Sequence, residues 1–417
     1  MTDWYFKNFM RDLEEETPTV DGDDERGEVI AKESQDFILN LLHLRASTLR
    51  SKFRKSALYQ KGSVVAGTWR GRQTRIYVDS TLYADTPGTA FLLLKSFLVT
   101  RNKDDLNTSA NIIKACVCAA EYYRDITFVR GTAGVCALGA VVSKYQGNTQ
   151  MIEQYLTRFK ENEVKDYRRD GILHGRAGHL WACLFLNKHL GDGVIPSSYT
   201  NGLVNKMIEN GRSLGAGTRC PLMYTYFGTK HLGAAHGLAG ILHVLMHFDL
   251  TPDVQEDVKK SLKYLINTRF PSGNYPSKED DRRDIFVQWC QGASGMALTL
   301  VKAAEVFGDK EFVDAAMEVG EVVWKRGLLK SVGLCHGISG NVYVFLALYR
   351  LTKNEEMLKR AKLFACFLLG RGVKLMRKKK MDTGEHPLSL FEGVGGMAYL
   401  FFDMMNPDEA RFPGYEL

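Results

Sequence analysis

The sequence predicts an all-α protein, an α/α toroid built as a double ring of about seven inner and seven outer helices, with one small β-hairpin inserted near residues 62–85. Three observations predict it. A Gly-x-x-Gly step recurs roughly seven times at a period of about 45–60 residues. The segment after each step is apolar nearly all round, and the segment before each is amphipathic. An open solenoid would alternate in the same way, but its inner helices would keep one exposed groove face, and these show little polar surface.

The steps are read in order. Pro87-Gly88-Thr89-Ala90 is a degenerate copy, followed by Arg130-Gly131-Thr132-Ala133-Gly134, His174-Gly175-Arg176-Ala177-Gly178 and His236-Gly237-Leu238-Ala239-Gly240. Then come Gln291-Gly292-Ala293-Ser294-Gly295, His336-Gly337-Ile338-Ser339-Gly340 and Glu392-Gly393-Val394-Gly395-Gly396. Each opens a buried-type helix, as at 91–94, 135–142, 180–186, 241–246, 296–301, 342–348 and 397–402. Amphipathic helices are expected at 107–123, 151–161, 200–214, 254–268, 309–326 and 354–370. The loop entering each inner helix must turn sharply among crowded neighbours, and glycine permits both positive φ and close backbone approach.

Upstream of the repeat, residues 1–30 are polar and acidic and read as a partly mobile segment, with Trp4, Tyr5 and Phe6 available to dock. Residues 31–417 read as a single domain. Residues 33–56 carry helical spacing, whereas Val64, Val65, Thr68, Trp69, Ile76, Tyr77 and Val78 between turn glycines read as the hairpin.

The composition, 45% hydrophobic and 25% charged in 417 residues, is ordinary for a globular chain. The longest apolar runs, such as 341–351, are too short to span a bilayer. The start has no charged-then-apolar leader, and Thr2 excludes N-myristoylation. Eight cysteines without a regular framework fit free thiols in a reducing compartment, so a cytoplasmic location is expected. The net charge of +7 is mild. Basic runs at 50–55 and 377–380 read first as solvated faces, with an anionic membrane or a phosphate-bearing partner as the alternative. No nucleic-acid reader motif accompanies them.

Closure of the ring would turn the repeat into chemistry, because equivalent slots face one end. The slot before each first glycine holds Pro87, Arg130, His174, His236, Gln291, His336 and Glu392. The slot before that holds Thr86, Val129, Leu173, Ala235, Cys290, Cys335 and Phe391. Cys290, Cys335 and His336 fall in adjacent repeats, and two thiolates with one imidazole are a catalytic zinc set with an open fourth position. Isolated buried cysteines are more often small hydrophobes, and it is the shared slot that favours a metal. Two thiolates offset the dication, which suits activation of a thiol more than of water. His236 is a candidate to protonate the carbanion formed on addition, or else a hydrogen-bonded structural histidine. His174, Glu392 and Arg176 are candidates for substrate binding or for orienting loops, Arg176 by holding an anion or an outer carboxylate. Trp289 reads as a packing wall.

These residues resemble the LanC-like proteins, eukaryotic relatives of the bacterial lanthionine cyclases. The matching stretches run from about residue 85 to the end. They include Leu173–Gly178, Gly233–Gly240, Phe270–Pro276, Trp289-Cys290, Gly333–Gly337, Ser389–Gly393 and Ala410–Pro413. The resemblance implies zinc on Cys290, Cys335 and His336 and an acid role for His236. It implies addition of glutathione to dehydroalanine or dehydrobutyrine left in proteins by loss of phosphate. Glutathione contacts carry over to Lys330 and to Asp382, Thr383, Gly384 and Glu385. The chain departs from the family at Gln291, where His is common, and at Asp382, where Arg is usual. Two other readings stay open: a non-catalytic zinc- and glutathione-binding adaptor that engages kinases or membrane, and a zinc hydrolase. The hydrolase is disfavoured because no well-placed carboxylate general base accompanies the metal slots.

Overall fold

The computed structural model describes residues 5–6, 67–69, 72–74, 81–84, 86–120, 125–161 and 169–417. The inner helices are α1 (Thr86–Thr100), α3 (Thr132–Gln146), α5 (Arg176–Leu190), α7 (Leu238–Leu245), α9 (Ala293–Phe307), α11 (Ile338–Thr352) and α14 (Val394–Asp403). Between them run the outer helices α2 (Lys103–Ala120), α4 (Thr149–Glu161), α6 (Ser197–Gly215), α8 (Pro252–Asn267), α10 (Lys310–Arg326) and α12 (Glu355–Phe367). A π-helical turn, Leu368–Gly372, joins α12 to the short α13 (Val373–Arg377). The expected helix at 33–56 lies outside the described residues. The hairpin is present as β1 (Gly67–Trp69) paired antiparallel with β2 (Arg72–Thr74).

Inner helices bury every face: Ile338 through Leu348 of α11 are all buried. Outer helices bury one stripe; in α10 Phe312, Ala315, Ala316, Val319, Val322 and Val323 face inward while lysines and glutamates face water. Each inner helix packs on the next, and α14 packs on α1, so the ring closes.

Closure is also written in the loops. Leu173 N–H donates to Ala235 O (3.1 Å), Ala235 to Cys290 (3.4 Å), Cys290 to Cys335 (3.2 Å) and Cys335 to Phe391 (2.8 Å). Phe391 then donates to Tyr83 (3.2 Å), and Tyr83 to Val129 (3.0 Å). The last link uses a side chain, Thr127 Oγ1 to Leu173 O at 3.0 Å. The loops ahead of the seven inner helices thus form one hydrogen-bonded circuit.

That circuit corrects the register of the first repeat. A Cβ on Gly340 would lie 1.9 Å from Leu334 O, and a Cβ on Gly88 2.5 Å from Leu82 O. Gly88 is therefore the second glycine of its step, not the first. The slot residue is Tyr83, not Thr86, and Asp85 stands where other repeats have glycine. The reason for the glycines also narrows. Gly131, Gly175, Gly237, Gly337 and Gly393 precede their helices in extended conformations; only Gly292 of this set has positive φ (92°). Close backbone approach, not left-handed conformation, makes most of them necessary.

The axis is filled, not open. Tyr415 O accepts from Trp181 Nε1 (2.8 Å) and His243 Nε2 (3.0 Å), and its hydroxyl meets Thr299 Oγ1 (2.7 Å). Phe412 stacks on Trp289 at 5.0 Å, so Trp289 is indeed a packing wall. With Arg350 of α11 donating to Ala410 O, the C-terminal residues tie four inner helices together, α5, α7, α9 and α11. At the N-terminal end, Phe6 N–H donates to Leu328 O (2.8 Å) and Tyr5 bridges Leu329, so these two aromatics dock. Among the described residues no helix is long and apolar enough to cross a membrane.

Burial of histidines predicts acid sensitivity. Desolvation pushes His179 and His236 down to about 4 and His247 to about 3. In the unfolded chain each returns to about 6.5, so below that pH the unfolded state binds protons that the folded state refuses. Stability is lost as pH falls from about 6.5 to 4, by on the order of 3 kcal/mol per histidine at the lower end. The urea midpoint is expected to drop steeply between pH 7 and pH 5. A flat profile down to pH 4 would contradict this burial.

Candidate metal centre

The loop circuit brings three donors together. Ligating atoms of Cys290, Cys335 and His336 all lie within 4.8 Å of one another. Cys335 is buried, whereas Cys290 and His336 are partly open. The Cys290–Cys335 backbone link sets the two sulfurs side by side, and the extended Gly337 that follows lets His336 turn toward them. This donor set, two thiols and one imidazole, fits a zinc ion and would leave a fourth position open.

The two thiols share their protons unequally. Pairing with Cys290 holds the Cys335 thiol down against burial, with His336 and Tyr83 adding to the effect, while the Cys290 thiol also donates to Gln288 Oε1 at 3.3 Å. The same pairing with Cys335, then burial, drives Cys290 well up. His336 is raised, first by its hydrogen bond to Cys335.

Tyr83 was not found by sequence reasoning. It acts on the Cys335 thiol and helps to hold it down, while burial keeps the Tyr83 hydroxyl itself protonated. Its ring is clamped between Phe391 (5.1 Å, 14° between planes) and the Arg130 guanidinium (5.3 Å). The signal that could have found it is the spacing of five residues back from the second glycine, which every slot residue obeys.

The histidines form a second group. His236 stacks on Tyr226 (4.7 Å, 13°) and lies parallel to His174 (5.5 Å, 7°). His174 Nδ1 is 2.6 Å from Asp125 Oδ2. Burial, then His174, His231 and Arg130, hold His236 down to about 4, so it is neutral near pH 7. Tyr226 lies in a loop with no glycine step to mark it, whereas Asp125 sits six residues ahead of Gly131, in the loop of the second step.

The remaining candidates separate. Arg176 is paired with buried Asp170, the carboxylate alternative rather than the anion. Lys330 and Asp382 are brought together: Asp382 N–H donates to Lys330 O (2.7 Å), and Val332 N–H donates to Asp382 O (3.1 Å). Asp382 Oδ1 accepts from Gly384 N–H at 2.9 Å, and Gly384 takes φ 74° against Glu392. Thr383 and Glu385 continue this rim. Glu392 acts electrostatically on both Tyr83 and His336, and its Oε2 is buried without a hydrogen-bond partner. A loop-borne Glu392 therefore acts on the residues of the metal slots.

A sequence profile described as Lanthionine synthetase C-like protein matches residues 77–417. The chain belongs to the LanC-like family. It is 44% identical over 387 residues to the LanC-like protein GCL1 of Arabidopsis thaliana, covering 88% of this chain and 89% of that one. It is 35% identical over 353 residues to the Glutathione S-transferase LANCL1 of Danio rerio, covering 81% and 85%. Among solved structures it resembles Nisin cyclase with a TM-score of 0.67 at 15% identity, over 86% of this chain and 94% of that one. The last likeness concerns the fold, and it is the toroid that the two share.

Proposed function

We propose that this LanC-like protein is a zinc-dependent glutathione transferase that adds glutathione to dehydroalanine or dehydrobutyrine residues in proteins or peptides. The observation that carries the reading is the Cys290–Cys335–His336 triad set on the same loop circuit as a neutral His236. The name of the Danio rerio relative, a glutathione S-transferase, supports the thiol.

Zinc on the three donors supplies a position where a thiol is bound as its thiolate at neutral pH. The chain's own groups do the rest. Neutral His236 accepts the thiol proton. Sulfur forms its bond to Cβ, the C=C electron pair moves toward Cα and its carbonyl, and His236 returns the proton to Cα. No other reactant is needed for the balance. Tyr83 acts on the Cys335 thiol and so helps to keep that ligand in place. Lys330 offers a cation to a glutathione carboxylate, and the Asp382–Glu385 rim with Glu392 offers carboxylates to its ammonium end. The departure at Asp382 thus reverses the charge offered there. Free thiols at seven described cysteines fit a cytoplasmic setting, and basic faces offer peripheral contact to anionic membrane or kinases.

The test is direct. Purified protein, glutathione and a dehydroalanine peptide are incubated, and the peptide is expected to gain one glutathione by mass. Glutathione bound without any mass gain, zinc being present, would leave only the adaptor reading. Cleavage of a test ester or amide instead would favour a hydrolase using Glu392.

A further inference from the structure

Phe227 is 77% exposed, the most exposed large hydrophobic residue among those described. It caps a two-residue turn in which Tyr226 N–H donates to Thr229 O (2.9 Å) and Thr229 N–H donates to Tyr226 O (3.1 Å). Phe227 has φ 48° and Gly228 φ 73°, the left-handed pair of a type I′ turn. Asn, Asp or Gly fill the first of these positions with least strain, and a bulky aromatic there is an outlier that calls for a functional reason. The ring is also not bare. The Arg169 guanidinium lies 4.7 Å from its centroid and 5.6 Å from that of Tyr226. Arg169 is exposed and makes no ion pair among the described residues. Beneath the tip, Tyr226 stacks on His236 at 4.7 Å. The turn therefore joins an exposed aromatic and a free cation to the proposed proton carrier.

We propose that the Phe227–Arg169 lip is the docking surface for the polypeptide that carries the electrophile, Phe227 taking an apolar side chain beside the reacting residue and Arg169 an acidic one. The inference rests on the transferase reading for the identity of its occupant. Glutathione is a poor alternative, because it has no apolar side chain for an exposed phenyl ring. Its candidate contacts, Lys330 and the Asp382–Glu385 rim, lie on the Cys335–Glu392 side of the circuit, whereas the lip lies on the His174–His236 side. The two sides of the loop circuit would thus hold the two reactants, with the thiol and Cβ meeting between them. Contact with the Phe227 ring holds the Arg169 guanidinium at the lip, and its planar fork is the geometry that grips a carboxylate or phosphate through two donors.

The experiment uses full-length zinc-loaded protein and two dehydroalanine peptides, each with leucine beside the electrophile and flanked by glutamates in one and lysines in the other. Wild type is expected to favour the glutamate peptide about tenfold in kcat/KM, and Arg169→Ala to erase that preference. Phe227→Asn keeps a residue that tolerates the left-handed turn and deletes the ring. It is expected to raise KM about tenfold for both peptides with kcat changed less than about twofold. The same peptides with alanine in place of dehydroalanine, followed by fluorescence anisotropy, give binding without turnover and are expected to bind Phe227→Asn about tenfold more weakly. Unchanged peptide KM and binding in both variants would overturn the lip, as would a rise in KM confined to glutathione. Weakened binding in the variants with no turnover by wild type would overturn the transferase reading and leave the docking surface standing.

Discussion

Cys290→Ala is expected to be purified without stoichiometric zinc and to add glutathione at least about a thousandfold more slowly than wild type. Removing this thiol leaves Cys335 and His336, two donors where a catalytic site needs three. It also deletes the pairing that holds the Cys335 thiol down. The fold should survive, because the link between the two loops runs from Cys290 N–H to Cys335 O and involves no side chain. Metal content by mass spectrometry, far-ultraviolet circular dichroism and the rate of adduct formation would be measured together. Full zinc occupancy in this variant would remove the triad from the account. By the same reasoning, chelating the metal from wild type should abolish addition and leave the helical signal unchanged.

The second large effect belongs to His236. His236→Asn keeps zinc and a side chain able to hydrogen-bond, and loses the group that carries the proton. Loss of a positioned acid–base typically costs about 10²–10⁴ in rate, and we expect a fall in kcat within that range. Burial and the flanking His174, His231 and Arg130 keep His236 neutral down to about pH 4. The proton it delivers must therefore come from the incoming thiol rather than from a resting imidazolium, and activity should not collapse as pH falls from 8 to 6. A second readout distinguishes chemistry from packing. Wild type should give one configuration at Cα, and the variant a mixture, because water would protonate either face. A single configuration with a loss smaller than about threefold would assign His236 a structural role.

Much of this centre is legible in the chain. The glycines recur because a Cβ at each second glycine would strike a carbonyl six residues back, as at Gly340 and Leu334. That requirement is local, so it leaves a periodic trace, and the shared slot then singles out Cys290, Cys335 and His336. Where the local requirement is relaxed, the trace fails. Asp85 replaces the first glycine of the opening repeat, and the slot slides three residues, hiding Tyr83. The Tyr226 stack on His236 comes from an inter-helix turn outside the repeat, where nothing periodic constrains the sequence. The pairing of Arg176 with Asp170 also needed coordinates, because either a ligand anion or a buried carboxylate would satisfy the same guanidinium.

What the sequence alone determined is the alternation of buried and half-wet helices, the toroid and the shared loop positions of Cys290, Cys335 and His336, because each follows from short-range sterics repeated at a regular interval. Only the tertiary structure decided which residues complete the centre and what fills the axis. Tyr83 meets Cys335 across 252 positions of chain (335 − 83), and Tyr415 enters between inner helices that begin as far back as Arg176. Such meetings are set by how the last helix packs on the first, and packing between distant segments imposes no spacing that a linear reading can register.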